Sequence, residues 1–127
     1  MYTISKKGPS GPKDKVVIIG ASGIEFRAAR VYVWPSLTEL HMQHEFKLVI
    51  HSHIRGIGQI ARTWADMHEL PSMSYFKDHD QDGENADEVR LLRMFQDNDP
   101  DCVIMYPGAE HIAKYARNDA LLINVNW

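Results

Sequence analysis

The chain has 127 residues, of which 44% are hydrophobic and 24% charged, and its 14 Lys+Arg against 17 Asp+Glu give a formal net charge of −3. This size and apolar content predict one domain with its own core, while the slight acidic excess argues against a broad basic surface for nucleic acid. No apolar stretch approaches the roughly 20 residues that span a bilayer, and the first residues lack the apolar segment of a signal peptide, so we expect a cytoplasmic protein without a membrane partner.

The first part of the chain contains a leader without a pattern, a strand and a helical segment. Residues 1–14 carry two Pro, two Gly and three Lys with no hydrophobic period, so we predict a flexible leader ahead of a domain over 15–127. The β-branched run over 15–20, closed by glycine, is typical of a strand buried on both faces of a parallel sheet. Apolar residues recur at helical spacing over 27–44, where Pro35 leaves either one helix or two.

The rest of the chain alternates between strands and helices. Strands are predicted over 47–51, 72–76, 102–106 and 120–126, and helices over 56–69, 86–98 and 110–118. A polar loop is predicted over 78–87, and the single Cys102 lies in an apolar run, where a thiol usually acts as a buried hydrophobe and fits a reducing compartment. The alternation predicts an α/β fold, a single Rossmann-like domain of about five mostly parallel strands with helices on both faces.

Open parallel sheets bind ligands at the carboxyl ends of their strands, so the loops after the first, second and fourth predicted strands are the candidate site. After the first strand, Gly20, Ser22 and Gly23 are small enough to let backbone amides approach an anion near the start of a helix. Phe26 follows and can stack on a base. For a lone Gly-x-x-Gly, a plain tight turn is the favoured explanation.

The loop after the second predicted strand combines polar and small residues at the entry to a helix. His51, Ser52 and Gly56 surround Arg55, whose guanidinium suits a phosphate. The alternative is that His51 and His53 are satisfied histidines with no ligand. We expect no metal there, because two histidines lack the third ligand that a zinc site needs.

The loop after the fourth predicted strand is again a turn of small residues. Pro107 and Gly108 lead into the helix predicted over 110–118, so that backbone amides there can face a ligand. An ordinary connection between a strand and a helix explains the same residues.

The polar segment that starts at Asp78 matches only the start of a calcium-binding loop. Asp78, Asp80 and Asp82 stand at the first, third and fifth positions, followed by Gly83 at the sixth. Val89 stands at the twelfth position, where a bidentate Glu is needed to close the coordination sphere. We therefore expect no high-affinity calcium site.

Taken together, the loops resemble the SLOG superfamily and within it the small YspA-like proteins, relatives of the phosphoribohydrolases called lysine-decarboxylase-like. The resemblance runs over about 15–125. The segment HSHIRGIGQIARTWA over 51–65 is similar to the family's His-Gly-Gly-x-Arg-Gly-Ala-Asp-x-Leu-Ala-x-x-Trp-Ala. Arg90 and Met94 resemble the ends of its Arg-Asn-x-x-Met helix, and residues 106–108 resemble the start of its Phe-Pro-Gly-Gly-x-Gly-Thr turn.

The sequence also departs from that family pattern at several positions. Ser52 and His53 replace a glycine pair, Gly58 replaces Asp, Leu91 replaces Asn, and the loop after Gly108 is shortened. These changes erode the anion-binding loops, and Glu110 lies too early in the sequence for the family's catalytic Glu, so we expect binding rather than turnover.

The resemblance implies a protein that binds a nucleotide or nucleotide-derived small molecule, such as ADP-ribose, an NAD fragment or a cyclic signalling derivative, as a sensor or sequestering protein without a cofactor. One alternative is an enzyme that cleaves the N-glycosidic bond of a nucleoside monophosphate, with Arg90 and Glu110 as its catalytic residues. The other is an inhibitor or adaptor of phage or bacterial origin that binds another protein. We also expect Arg55 and Arg90 to be exposed, and a homo-oligomer in which the apolar tail over 121–127 covers a sheet edge.

Overall fold

The computed structural model describes residues 2–9, 11–19, 26–52, 57–76 and 79–126. Its strands are β1 (Tyr2–Lys6), β2 (Val16–Ile19), β3 (Val49–Ser52), β4 (Ser72–Tyr75), β5 (Cys102–Met105) and β6 (Leu121–Val125). Its α-helices are α1 (Phe26–His44), α2 (Ile57–Met67), α3 (His79–Asp82) and α4 (Ala86–Asn98), and two 3-10 helices span Gly83–Asn85 and Glu110–Tyr115. In these residues no helix is both long and apolar enough to cross a membrane.

The strands form one sheet in the order β1-β6-β5-β2-β3-β4. All neighbours from β6 to β4 are parallel, and only β1 is antiparallel to its partner β6. The chain first builds β2, β3 and β4 toward one edge and then returns to place β5 and β6 on the other side of β2. This order is that of a Rossmann-like fold, so the predicted α/β class is confirmed, with six strands rather than five.

The additional strand is β1, in a segment that the sequence analysis placed in a flexible leader. Tyr2–Lys6 pairs with β6, with Tyr2 opposite Val125 and Ile4 opposite Ile123. Tyr2 packs against the core, and its hydroxyl donates a hydrogen bond to Gln43 Oε1 at 2.7 Å. Pattern alone could not reveal this strand because four of its five side chains are exposed.

Helices cover both faces of the sheet, as predicted. Side chains alternate along a strand, so Val16 and Ile18 face α1 and α2, whereas Val17 faces α4 and the 3-10 helix Glu110–Tyr115. The Cys102 thiol is buried in the first of these two cores, and its burial raises its pKa to about 12. A thiol with that pKa is almost entirely protonated at neutral pH, which makes Cys102 a hydrophobic core residue rather than a nucleophile.

The α1 segment forms one helix through Pro35, which resolves the choice between one helix and two. Pro35 lies on the exposed side, while Val33, Leu37 and Leu40 are fully buried on both sides of it. Packing of this shared apolar face against the sheet offsets the backbone hydrogen bond that proline cannot make.

The segment over 78–87 differs from the predicted loop, because His79–Asp82 and Gly83–Asn85 are helical turns that lead directly into α4. The helix predicted over 110–118 is shorter and wound as a 3-10 helix.

Candidate functional site

The three loops of the predicted site leave the sheet from neighbouring strands. Ile19 at the end of β2 pairs with Met105 at the end of β5, and on the other side Ile18 pairs with His51 of β3. The strands therefore end at the same level, and the loops that follow them start side by side. The sheet also reverses its direction of growth between β2 and β5, which is where Rossmann-like folds hold their ligands.

Several of the predicted binding residues lie outside the described part of the chain. These are Gly20, Ser22, Gly23, Arg55 and Gly56, together with His53 and the first calcium-loop residue, Asp78. Phe26 is the first residue of α1.

His51 belongs to the sheet and not to the loop that follows it. Its side chain is 1% exposed, on the next-to-last residue of β3, opposite Ser74 of β4. Its Nδ1 lies 3.2 Å from the Ser52 carbonyl oxygen and its Nε2 lies 3.4 Å from Ser74 Oγ. A carbonyl only accepts, so Nδ1 carries the proton and Nε2 accepts from the serine hydroxyl. These contacts suit the alternative of a satisfied histidine better than an open phosphate contact.

Gly58 brings the first turn of α2 into direct contact with the end of β3. A Cβ atom on Gly58 would lie 2.0 Å from the carbonyl oxygen of Ser52, a distance that no real side chain allows. Position 58 departs from the pattern of the family that the sequence resembles, but the close contact with Ser52 is a structural reason for glycine there. The sequence analysis missed this role, although the Gly-x-Gly spacing at 56–58 was its available signal.

Arg90 is buried, at 5% exposure, contrary to the expectation that it is exposed. It lies in α4 one turn before Met94, on the same side of the helix, and Met94 is fully buried in the core that includes Ile50 of β3. A crossover helix runs opposite to the strands it connects, so the first turns of α4 lie toward the carboxyl edge. Arg90 is thus a buried charge, and we expect its removal to affect stability as well as any ligand binding at this edge.

The loop after β5 carries a carboxylate of its own. Gly108 has φ +94°, a conformation that favours glycine, and its backbone N–H donates to Glu110 Oε2 at 3.1 Å and Oε1 at 3.3 Å. This amide, which the sequence analysis expected to face a ligand, therefore already binds an internal carboxylate. Pro107 is half-buried beside it, and the Ala109 N–H donates to the Tyr106 carbonyl at 3.0 Å and closes the turn.

The described residues contain no group of three or more His, Cys, Asp or Glu side chains that could hold a metal ion. Asp80 and Asp82 lie in the short helix α3 and Gly83 begins a 3-10 turn, so this segment is helical where a calcium-binding loop would begin. The absence of high-affinity calcium binding stays a prediction.

Comparisons with models of protein families, with curated proteins and with solved structures found no match for this chain. The resemblance to SLOG proteins therefore stays a prediction, and function has to be inferred from the strand order and the residues at the sheet edge.

Proposed function

We propose that this protein binds a nucleotide or nucleotide-derived small molecule at the carboxyl ends of β2, β3 and β5. The observation that carries the proposal is the strand order, which places β2 and β5 side by side. The helix that follows β2 packs on one face of the sheet, and the 3-10 helix that follows β5 packs on the other. A crevice forms at such a reversal because the two loops leave the sheet in different directions.

The start of α2 supports an anionic ligand. Because Gly58 has no side chain, the first turn of α2 rests on the Ser52 carbonyl, so the helix begins at the sheet edge. The unpaired amides and the dipole of a helix start favour a negative charge, and Arg55 and Gly56 directly precede this helix in the sequence. A phosphate group is the anion that such an arrangement suits best.

Glu110 suggests how the ligand is oriented. Its carboxylate holds the Gly108 amide, so a second negative charge at this loop would be repelled. We therefore place the phosphate near the start of α2 and the uncharged part of the ligand, such as ribose hydroxyls, near Glu110. Carboxylates accept hydrogen bonds from hydroxyl groups readily.

The proposal predicts that ADP-ribose, NAD, a cyclic ADP-ribose isomer or a mononucleotide raises the melting temperature of the protein. Arg55→Ala should weaken that ligand by roughly 10- to 100-fold, because a charge-assisted hydrogen bond contributes about 1.5–3 kcal/mol. Calorimetry measures the affinity. Arg62→Ala, which removes the same charge from an exposed position of α2, is the matched control and should bind like the parent.

Two results would contradict the proposal. One is a panel in which no compound shifts the melting temperature. The other is an Arg55→Ala variant that binds as tightly as the Arg62→Ala control. Arg90→Ala is a less clean test because Arg90 is buried and its loss also changes stability.

We also propose that the protein acts in the cytoplasm as a homo-oligomer. Val31 and Met42 leave large apolar side chains 64% and 79% exposed on α1, and methionine is enriched at protein interfaces. The tail does not provide the interface as expected, since Leu121–Val125 lies inside the sheet between β1 and β5. Light scattering should give a multiple of the single-chain mass of 14.6 kDa, and a mass near 14.6 kDa at micromolar concentration would argue against self-association.

A further inference from the structure

The C-terminal ends of α1 and α2 are joined by a cluster of four aromatic rings, at the far side of the helices from the candidate site. His41 lies in the last turn of α1, Trp64 in α2, and Phe46 and His68 just beyond the two helices. The His68 ring stacks on Trp64 with centroids 4.3 Å apart, and the His41 ring meets the edges of both, 5.5 Å from Trp64 and 6.0 Å from His68.

Hydrogen bonds define the proton positions on the two histidines. The Phe46 backbone N–H donates to His41 Nδ1 at 2.9 Å, so Nδ1 is unprotonated and the neutral ring carries its proton on Nε2. The Nδ1 of His68 lies 2.9 Å from the Trp64 carbonyl oxygen, which only accepts, so His68 carries its proton on Nδ1. The two rings therefore use Nδ1 in opposite ways: the His41 Nδ1 accepts a hydrogen bond, whereas the His68 Nδ1 donates one.

We propose that His41, Trp64 and His68 form an acid-sensitive clasp that holds the ends of α1 and α2 together at neutral pH and releases the turn at Glu45 and Phe46 on acidification. The turn depends on its hydrogen bonds because Glu45 has φ +47°. This left-handed conformation is energetically unfavourable for any residue other than glycine. The Glu45 N–H donates to the His41 carbonyl at 2.8 Å, and the Phe46 N–H donates to the His41 ring at 2.9 Å. On its other side the Glu45 carbonyl accepts from the Lys13 N–H at 3.1 Å, so the His41 ring is the titratable one of the turn's partners.

Protonation has different consequences for the two histidines. A second proton on His41 must go to Nδ1, where it faces the Phe46 N–H, so a hydrogen bond becomes a contact between two donors. A second proton on His68 goes to Nε2, which leaves its bond to the Trp64 carbonyl intact and places a cation against the Trp64 ring. The clasp therefore opens through His41.

The surroundings of His41 also favour its neutral form. His68 faces it from the turn after α2 and Glu45 from the turn after α1, and the other rings packed on it, Phe46 and Trp64, are uncharged. Burial lowers the pKa of His41 below its ordinary value of 6.5, the proximity of His68 lowers it further, and Glu45 only partly opposes them. Because the folded state has the lower pKa, this contribution to stability is complete above pH 6.5 and is lost as the pH falls below 6.5 toward that pKa.

Hydrogen exchange of the Phe46 amide tests the clasp directly. We expect its protection factor, corrected for the intrinsic pH dependence of exchange, to fall roughly tenfold from about pH 7.5 to about pH 5, the effect of one lost, partly buried hydrogen bond. The Ile104 amide in β5 is the internal reference and should change little, which distinguishes local opening from global unfolding. Nitrogen chemical shifts of the unaltered protein should show His41 unprotonated at Nδ1 near neutral pH.

Two variants separate the roles of the histidines. Asparagine places an acceptor oxygen near the position of Nδ1 at every pH, so His41→Asn should keep Phe46 protected in acid. His68→Gln should move the opening of Phe46 to a higher pH, because position 68 then no longer opposes the protonation of His41. A Phe46 amide equally protected at both pH values, or a His41 ring protonated at Nδ1 at neutral pH, would overturn the proposal.

Discussion

Trp64→Ala is expected to lower the free energy of unfolding by about 3–5 kcal/mol, a large share of the roughly 5–15 kcal/mol that stabilises a typical domain. Trp64 is fully buried, in the core that α1 and α2 form over the sheet. Its indole N–H donates to Thr38 Oγ1 at 3.0 Å, and its ring contacts those of His41, Phe46 and His68. Alanine would leave a cavity between the helices and remove the indole contact from each of these rings.

Urea unfolding of the parent and the variant measures this difference. Trp64→Phe is the matched control, since it keeps an apolar ring in the same space and loses the indole hydrogen bond, and we expect it to be affected much less. A loss below about 1 kcal/mol for Trp64→Ala would mean that the α1–α2 interface is not packed as described.

Gly58→Ala is expected to destabilise the protein by about 3 kcal/mol, although alanine is the better helix former. In an open helical position, this substitution would stabilise α2 by about 1 kcal/mol. Here the new Cβ would stand 2.0 Å from the Ser52 carbonyl oxygen, and a backbone atom cannot rotate away as a side chain can. The start of α2 must then move off β3, which should also weaken any ligand held at that helix start.

The sign of the change decides this prediction. Chemical denaturation of Gly58→Ala should show a loss, and a gain in stability would place α2 farther from β3 than the structure has it. Gln59→Ala, at the exposed neighbouring position, should lie within about 0.5 kcal/mol of the parent.

The candidate site could be predicted from sequence only in part. The positions of the three loops follow from the strands that precede them, since parallel strands with crossovers must end at one edge. The burial and the hydrogen-bond partners of individual side chains do not follow from the strands in this way. His51 ends a predicted strand and Arg90 lies in a predicted helix, yet both are buried. The pairing of β4 with β3 and the packing of α4 on the sheet show this, and the sequence does not. Glu110 reaches back to the Gly108 amide, a contact that spacing alone did not indicate.

The sequence by itself determined the elements whose signal is local. The runs at β2 and β5 are continuously apolar because both of their faces are buried, and α4 has the bounds predicted for it, 86–98. In each case the pattern that specifies the element lies within a few neighbouring residues.

Tertiary structure decided the features that depend on residues far apart in the chain. Tyr2 forms a strand only because Val125, at the other end of the sequence, offers an open sheet edge. Pro35 stays within one helix because the sheet buries the residues on both sides of it. Gly58 is required only because the Ser52 carbonyl lies against it. These are contacts through space, and a period read along the chain contains no information about which surfaces meet.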